Sequence, residues 1–389
     1  MANLTNKLPR KPLPLPLMLL GDVLLLAVCI LTFSYFHHVR SESLVKDPDK
    51  LQQAVIPNQN PYGSTTALTT TTTGTSTLSE QTDSAAQTET TTTSVTTQSY
   101  ETTVTAGSTE SHTDSTTTST STTTTTTTTT AVQYDLAGWG SKWPTLFALG
   151  DQITVTENSY RSHDVYINIE TRQVGSSVAY IADVYVRYVD NLKSAFAKGE
   201  YGKNLTEWPQ NIAAANNAIL AVNGDYYGIR DNGVIVRNYT LYRDTMRNDV
   251  CSMFYDGTVT VESASEFNLA AAMQNGLYQT MSFGPALLRD YQAPETFHSH
   301  VRGINPRTGF GYYEPGHYVF ITVDGRQDGY SVGLDMQDFA ALFQDLGCKN
   351  AYNLDGGQSA MMIFQGGVYN QPYNGGRPTS DIFYIAEVN

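Results

Sequence analysis

The sequence is short of cysteine and of basic residues, and each shortage excludes a class of protein. Three of the 389 residues are cysteine, one of them inside an N-terminal apolar run, which excludes a disulfide-stapled miniprotein. Lys and Arg number 23 against 37 Asp and Glu, so the formal net charge is −14. Binding to DNA or RNA needs clustered basic residues that displace counterions, so nucleic acid is not an expected partner.

Several familiar catalytic and metal-binding patterns are missing as well. The chain has no Gly-x-Ser-x-Gly elbow, no His-x-x-x-His helix paired with an acid and no Gly-x-x-x-x-Gly-Lys phosphate loop. His298 and His300 have the spacing of two ligands on one strand face, but we expect an exposed loop there. Cys251 and Cys348 are 97 positions apart, and this spacing neither predicts nor excludes a disulfide between them. We expect two buried thiols.

The N-terminal third differs in composition from the rest of the chain. Leu17–Phe36 is 20 mostly apolar residues, about one bilayer span, although Asp22 leaves only Val23–Phe36 uninterrupted. No small-x-small cleavage pattern follows, which predicts an uncleaved anchor rather than a signal peptide. Between Thr65 and Thr130, 35 of 66 residues are Thr, too little apolar surface for a core. The predicted organisation is a cytoplasmic N-terminus (1–16), a transmembrane helix (17–36), a disordered Thr-rich stalk (37–133) and an extracellular folded domain (134–389).

The folded domain is predicted to be α+β, with mixed, largely antiparallel sheets and a few flanking helices. Apolar and period-2 runs predict strands at Val165–Ile169, Val178–Val189, Ile219–Val222, Val234–Val236, Thr258–Val261, Ala286–Leu288 and Tyr318–Val323. The clearest helix is Met336–Leu346, which Asp335 can cap and Gly347 can end. Pro209–Asn217 and Ser265–Gln274 carry weaker helical patterns.

Four segments place Gly, Asn, Asp or Arg beside an apolar strand. They are residues 221–228 (AVNGDYYG), 305–311 (NPRTGFG), 320–326 (FITVDGR) and 351–359 (AYNLDGGQS). Each also has a purely structural interpretation, as a turn or as a surface Arg. The last segment is the most specific, because two successive glycines beside Asp355 allow close approach of a ligand to backbone N–H groups.

In this order the segments resemble the motifs of the phosphodiester glycosidase family, the N-acetylglucosamine-1-phosphodiester α-N-acetylglucosaminidase-like enzymes with their bacterial exopolysaccharide-associated branch. The matching stretches are Asn223–Tyr227, Gly284–Leu287, Arg307–Gly311, Val323–Arg326 and Asn353–Ser359. Three positions depart from the family pattern: Asp225 stands where Gly is common, Gly309 replaces Ala, and Gln358 replaces a third Gly. The first departure puts an essential chemical role of Asp225 in doubt.

The resemblance implies hydrolysis of a sugar-1-phosphodiester and assigns roles to the four segments. Asp355 is the principal catalytic candidate, Asp324 and Asp225 are further carboxylates, and Arg307 is the clamp for the phosphate. The expected substrate-binding residues are Asn223, Gly224, Tyr226, Arg326, Gly356, Gly357 and Ser359. A phosphomonoester leaves as a stable anion, so the need for a strong general acid is smaller than in ordinary glycosidases. The scheme requires no cofactor.

Two alternatives stay open at this point. A metal-dependent phosphoesterase would gather a divalent cation between Asp225, Asp324 and Asp355, and would lose turnover on chelation. A non-catalytic glycan-binding module would bind polysaccharide and release nothing from it. The favoured interpretation is a membrane-tethered extracellular hydrolase, anchored through Leu17–Phe36, that acts on a phosphoglycan of the cell envelope or an extracellular polysaccharide.

Overall fold

A computed structural model of the protein describes residues 15–35, 42–43, 51–57, 60–62, 73–76, 125–128 and 137–388. The chain divides into two compact units, one made of residues 1–67 and 134–389 and the other of residues 68–133. The described part of the second unit is one antiparallel pair of short strands. Most of the predicted N-terminal segment 1–16 and of the predicted stalk 37–133 lies outside the described residues.

Strands supply most of the described structure, and helices are few. The α-helices are α1 (Leu15–Ser34), α2 (Pro209–Ala215), α3 (Leu269–Gln274) and α4 (Met336–Asp345). The strands are β1 (Glu42–Ser43), β2 (Gln52–Gln53), β3 (Thr73–Ser76), β4 (Thr125–Thr128), β5 (Thr154–Val155), β6 (Ser159–Arg161), β7 (Val165–Val174), β8 (Ser177–Val186), β9 (Leu192–Phe196), β10 (Gly202–Lys203), β11 (Leu220–Asn223), β12 (Ile235–Arg237), β13 (Thr240–Arg243), β14 (Asp249–Phe254), β15 (Val259–Ser263), β16 (Leu277–Met281), β17 (Ala286–Leu288), β18 (Arg307–Glu314), β19 (His317–Val323), β20 (Asn350–Asn353), β21 (Met362–Phe364), β22 (Gly367–Val368) and β23 (Asp381–Ile385).

Two antiparallel sheets dominate the first unit. The larger has eight strands in the order β17-β20-β18-β19-β8-β7-β6-β5, and the other has five in the order β22-β21-β11-β23-β9. Two three-stranded sheets, β15-β14-β16 and β12-β13-β2, and the pair β1-β10 complete the unit.

The main hydrophobic core lies between the eight-stranded and the five-stranded sheets. In β19, Phe320 belongs to this core, whereas its neighbour Ile321 packs with α4 on the opposite face. In β11, Val222 belongs to the same core, whereas Ala221 packs with α2. Because successive side chains of a strand point to opposite faces, each of these sheets is covered by the shared core on one side and by a helix on the other.

The helix α4 forms as predicted from its stripe of Met336, Phe339, Ala340 and Phe343, all of which are buried. The Asp335 side chain accepts a hydrogen bond from the Asp338 backbone N–H (2.9 Å), and Gly347 follows the helix with φ +81°. A Cβ at Gly309 of β18 would lie 2.9 Å from the ring carbons of Phe339 and Phe343. The replacement of the family's Ala by Gly309 therefore makes room for the aromatic rings of this helix.

The seven predicted strand segments all overlap strands, and the two weaker helices form in shortened versions. The predicted helix 265–274 begins only at Leu269, because the Asn268 side chain caps it by accepting from the Ala271 backbone N–H. The strands that the pattern did not indicate include β9, β14, β16 and β23.

The predicted fold class of α+β with a preceding transmembrane helix is wrong. The described residues are mainly sheet with few helices, and no helix among them is long and apolar enough to cross a membrane. Leu15–Ser34 is helical, but Gly21 and Asp22 divide its apolar run, and a carboxylate within a membrane span is costly. The predicted membrane contact through Leu17–Phe36 is not supported.

Part of the predicted stalk packs on the folded domain. Strand β2 extends the sheet of β12 and β13, and the Val55 backbone N–H donates to the Met273 carbonyl (2.8 Å). The Tyr62 ring lies edge-on to Trp139 with centroids 5.0 Å apart, and burial raises the pKa of Tyr62 to about 12. The folded unit therefore includes a segment that precedes the Thr-rich stretch.

The cysteines of the folded domain are buried free thiols, as expected. Neither Cys251 nor Cys348 takes part in a disulfide.

Candidate functional site

A cavity of about 390 Å³ lies at one edge of the sheets, where the turn after β20, the start of β18 and the loop after β19 converge. Its lining residues are Phe283, His300, Val301, Asn305, Arg307, Arg326, Asn353, Asp355, Gly356, Gly357, Gln358 and Arg377. Segments 305–311, 320–326 and 351–359, which the sequence singled out, thus contribute to one site. The antiparallel pairing of β18 with both β19 and β20 brings them together.

Asp355 is the one carboxylate among the lining residues. Its backbone N–H donates to the Gly224 carbonyl (3.2 Å), and its carbonyl accepts from Asn223 Nδ2 (2.6 Å). The Asn223 side chain is fully buried and also accepts from Thr308 Oγ1 (2.8 Å). Asn223 and Gly224, predicted as substrate-binding residues, therefore hydrogen-bond to the Asp355 backbone and do not line the cavity.

Arg377 and Ser359 hold the Asp355 side chain. Arg377 Nη2 donates to Asp355 Oδ2 (2.9 Å), and Arg377 Nε donates to Ser359 Oγ (2.6 Å). Burial raises the pKa of Asp355, and the nearby Arg377 partly offsets the rise. Ser359, another predicted substrate-binding residue, is buried and positions Arg377.

Arg307 is a buried cation held by carbonyl oxygens. Its Nε donates to the Leu334 carbonyl (2.9 Å), and its Nη2 donates to the Gly303 carbonyl. No carboxylate lies within ion-pair distance of Arg307 among the described residues, and burial lowers its pKa to about 10. A fixed guanidinium without an acidic partner is suited to an anionic ligand.

Arg326 lies on the rim of the cavity. Its Nη2 donates to Asn305 Oδ1 (2.6 Å), and its guanidinium lies 5.6 Å from the Tyr373 ring centroid. Gly357 has φ +64°, and a Cβ there would lie 3.2 Å from Arg326 Nη2. Glycine is needed at this position both for its backbone conformation and for the close approach of Arg326.

Tyr226 lies beside the cavity between two arginines. The Arg377 guanidinium carbon is 5.0 Å from the Tyr226 ring centroid, and that of Arg230 is 6.0 Å from it. Arg230 also stacks on the lining residue Phe283, at 4.1 Å, and donates to the Phe283 carbonyl (3.3 Å). Burial, followed by the nearby charge of Arg247, lowers the pKa of Arg230.

Asp225 belongs to a buried ionic network behind the site rather than to the cavity lining. Arg237 Nη2 donates to Asp225 Oδ2 (3.0 Å) and to Asp381 Oδ2 (2.8 Å). Asp225 also accepts from the backbone N–H groups of Ser282 (2.9 Å) and Phe283 (3.2 Å). These bonds fix the backbone of the lining residue Phe283, which is consistent with the doubt about an essential chemical role for Asp225.

Asp324 is likewise buried and is not among the lining residues. Its carboxylate accepts from Asn370 Nδ2 (2.7 Å), the Tyr330 hydroxyl (2.8 Å) and the Gln371 backbone N–H (2.9 Å). Burial raises the pKa of Asp324, and the bond from Asn370 opposes the rise. The geometry assigns Asp324 to holding the loop that carries Arg326 against residues 370–371.

The donor set of the metal-dependent alternative is not assembled. Within the described part of the chain, no group of three or more His, Cys, Asp or Glu is placed to hold a metal ion. Asp225, Asp324 and Asp355 each accept from different partners in separate surroundings. His298 and His300 are exposed, as predicted, and His300 also lines the cavity.

The site contains residues that the sequence patterns did not indicate. Arg377 lies 22 positions after Asp355 and Arg230 lies 125 positions before it, outside the motifs that were compared. A signal for Arg377 does exist, because it follows the pair Gly375-Gly376, but a lone Arg after glycines is a weak pattern. Arg230 has no local signal and is placed by tertiary packing.

Taken together, two glycines, three arginines and one buried carboxylate line this cavity, a set of groups suited to an anionic ligand. Residues 216–386 match the family model of phosphodiester glycosidases, which confirms the resemblance drawn from the motifs. One curated relative is the SPbeta prophage-derived uncharacterized protein YomE of Bacillus subtilis (strain 168), 29% identical over 187 residues. That alignment covers 45% of this chain and 29% of the relative, so the chain spans less than a third of that relative's length.

Several solved structures are similar to this chain. One is the catalytic domain of zebrafish N-acetylglucosamine-1-phosphodiester α-N-acetylglucosaminidase, auto-inhibited by its pro-peptide, with a TM-score of 0.46 and 22% identity over 58% of this chain and 83% of that one. Another is a hypothetical protein from Synechocystis, with a TM-score of 0.42 and 13% identity over 57% of this chain and 62% of that one.

Proposed function

We propose that the protein is a hydrolase that cleaves a sugar-1-phosphodiester, releasing the sugar from a phosphorylated acceptor. The observation that carries the proposal is the cavity in which the buried Asp355 lies among Arg307, Arg326 and Arg377. The family match over residues 216–386 supports the same reaction class.

In this proposal the phosphate binds on the Arg307 side of the cavity. The Arg307 guanidinium is fixed by two carbonyls and has no carboxylate partner among the described residues, so a phosphate oxygen would supply a negative charge. The Gly356 N–H makes no hydrogen bond among the described residues and can donate to the same phosphate. The Gly357 N–H already donates to the Pro306 carbonyl (2.9 Å), so we assign Gly357 to the shape of the turn.

Asp355 is the proposed base of the reaction. Its raised pKa gives it a higher affinity for a proton than an exposed Asp has, while its bond to Arg377 keeps the carboxylate in place. Water loses a proton to Asp355 as its oxygen bonds to the substrate, the sugar–phosphate ester linkage breaks, and the phosphomonoester leaves as an anion beside Arg307. Water labelled with a heavy oxygen isotope assigns the bond that breaks, because the label enters the sugar or the phosphate.

The remaining predicted residues receive supporting roles. We assign Asp225 and Asp324 to the scaffold, because the bonds of both carboxylates are to protein donors. Substrate contacts are assigned to Tyr226 and to the lining side chains of Asn305, Asn353 and Gln358. No resident cofactor enters the scheme. An extracellular location for the domain stays a prediction.

The test is turnover of an α-GlcNAc-1-phosphodiester by the full chain, followed as release of free sugar, with and without a chelator. We expect release that is unchanged by chelation. Loss of release on chelation would favour the metal-dependent phosphoesterase. Binding of polysaccharide without release from any phosphodiester-linked sugar would identify a glycan-binding module instead.

A further inference from the structure

The candidate site carries more positive charge than a phosphodiester needs. Four guanidinium groups, those of Arg307, Arg326, Arg377 and Arg230, line the cavity or stack on its lining residues. Three of these arginines and one carboxylate, Asp355, line the cavity, so the lining carries a formal charge of +2 in a protein whose formal net charge is −14.

No carboxylate of the described residues forms an ion pair with Arg307, Arg326 or Arg230, although the charge of Asp335 acts on Arg307. Asp355 is already bonded to Arg377, and Asp225 is already bonded to the buried Arg237. Arg307 interacts with carbonyls and Arg326 with the neutral Asn305 side chain. Burial lowers the pKa of both Arg307 and Arg230, as expected for cations without a full counter-charge.

The arginines form two groups on either side of the carboxylate. Arg307 and Arg326 come from β18 and the loop after β19. Arg377 and Arg230 flank the Tyr226 ring at 5.0 and 6.0 Å, and both act electrostatically on Asp355. Asp355 is bonded to Arg377, so a single phosphate on the Arg307 side would leave Arg230 without an ion-pair partner among the described residues.

We propose that the site takes a sugar attached through a diphosphate, and that Arg230 together with Arg377 binds the second phosphate. This inference rests on the proposed function, because it identifies the substrate class of the same site. Hydrolysis at the sugar end then adds water across the linkage between sugar and diphosphate, and a diphosphate monoester leaves with both negative groups held. A diphosphate diester carries two negative charges where a phosphodiester carries one, and it therefore matches the excess of arginines better.

The test measures binding of inorganic pyrophosphate and inorganic phosphate to the full chain by calorimetry, at one pH and physiological salt. For the unaltered protein we expect pyrophosphate to bind about tenfold or more tightly than phosphate. Arg230→Gln should remove most of this advantage while leaving phosphate affinity within about twofold. Arg230→Lys keeps the charge but loses the planar fork, so it should retain part of the advantage, and it tests the same group if the Gln variant does not fold.

The matched control is Arg289→Gln, which removes one positive charge from a half-buried residue that pairs with Glu266 away from the cavity lining. We expect it to leave both affinities unchanged. Equal affinities for the two anions in the unaltered protein, or equal losses in the Arg230 and Arg289 variants, would overturn the inference. Because binding is read without turnover, a protein that selects pyrophosphate but hydrolyses no sugar-1-phosphodiester would contradict only the proposed function. Turnover of such a phosphodiester without selectivity for pyrophosphate would contradict only this inference.

Discussion

At the scale of single residues, Asp355 is subject to two opposing influences that suit a general base. Burial favours its protonated form, and Arg377 favours its ionised form. Asp355→Asn keeps an oxygen that can accept from Arg377 but cannot take a proton. We therefore expect this variant to fold and to lose roughly 10²–10⁴-fold in kcat on a sugar-1-phosphodiester.

The comparison for this variant is Asp328→Asn, which alters an exposed carboxylate in the loop after β19. Circular dichroism and thermal unfolding establish that both variants are folded, and steady-state kinetics gives kcat. Full turnover by a folded Asp355→Asn protein would refute the assignment of the base.

The pH dependence of turnover follows from the same residue. A base must be ionised to act, so kcat/KM should fall as the pH is lowered through the pKa of Asp355, which lies above the ordinary Asp value of 3.8. Arg377→Gln removes the group that lowers this pKa, so the acidic limb of the profile should move to higher pH. Pre-steady-state or kcat/KM profiles of the two proteins, with Arg289→Gln as a charge control, provide the measurement. An acidic limb that stays in place or moves to lower pH contradicts the role of Arg377 as a positioning residue.

The site could be predicted in part because some of its residues occur in glycine-rich stretches. Asp355 and Arg307 were indicated in this way and do line the cavity. Asp324 follows a strand and precedes a glycine in the same manner, yet its carboxylate turns towards Asn370 and Tyr330. A sequence pattern places a residue at a strand end, but it does not determine which way the side chain points.

At the scale of elements, the turn after β11 depends on contact between the backbone and Asp381 of β23. A Cβ at Gly224 would lie 2.3 Å from Asp381 Oδ1, which is closer than two unbonded atoms can be. We expect Gly224→Ala to destabilise the protein by roughly 1–3 kcal/mol, because an extra methyl group in a packed site forces its neighbours apart. It should also lower turnover, since the Gly224 carbonyl accepts from the Asp355 N–H.

Gly367→Ala is the matched control, because its Cβ would meet only the Phe364 carbonyl oxygen at an ordinary distance of 3.7 Å. Urea unfolding of both variants gives the difference in free energy of unfolding. If Gly224→Ala unfolds at the same urea concentration as Gly367→Ala, a methyl group at residue 224 fits beside Asp381 and the prediction is wrong.

The same pair of strands carries a pH-dependent contribution to stability. Burial raises the pKa of Asp381 to about 6, against the opposing effect of Arg237. The folded protein therefore holds this proton more tightly than the unfolded chain does, whose Asp titrates near 3.8. The contribution is present in full below pH 3.8 and is lost as the pH rises through about 6.

Asp381→Asn removes the titration, so its stability relative to the unaltered protein should rise as the pH increases from about 4 to about 6. Urea unfolding of both proteins at several pH values in this window gives the difference in their free energies of unfolding at each pH. A constant difference, or one that changes in the opposite direction, is incompatible with a raised pKa at Asp381.

The helices and strands that could be predicted are those whose hydrophobic pattern lies within the element itself. The stripe of α4 and the alternation of β7 could be read directly, because one face of each is buried. Strand β14 was not indicated, since its central residues Val250, Cys251, Ser252 and Met253 are all buried and show no alternation. Strands β15 and β16 pair with its two edges, and the sequence of β14 alone does not encode this pairing.

At the scale of the whole molecule, composition sets the Thr-rich stretch apart from the predicted folded domain, but it does not indicate every segment that packs on that domain. Residues 51–62 include two Pro, two Asn and three Gln, a composition that also occurs in linkers. Their described part nevertheless adds strand β2 to a sheet and places Tyr62 between Trp139 and Tyr188, at centroid distances of 5.0 and 5.5 Å. Such a segment gains its order from a surface elsewhere in the chain, which its own composition does not reveal.

The contribution of this segment can be measured with two truncated proteins. One lacks residues 1–50, and the other lacks residues 1–62. The first removes the short pairing of β1 with β10, and we expect little loss of stability. The second also removes β2 and the half-buried Tyr62, so it should lose roughly 1–2 kcal/mol more, somewhat less than a fully buried apolar side chain contributes. Point variant Tyr62→Ala in the full chain should reproduce most of that loss, which separates the aromatic contact from the strand pairing. Urea unfolding provides the free energies, and equal stability of the two truncated proteins would mean that residues 51–62 are a linker after all.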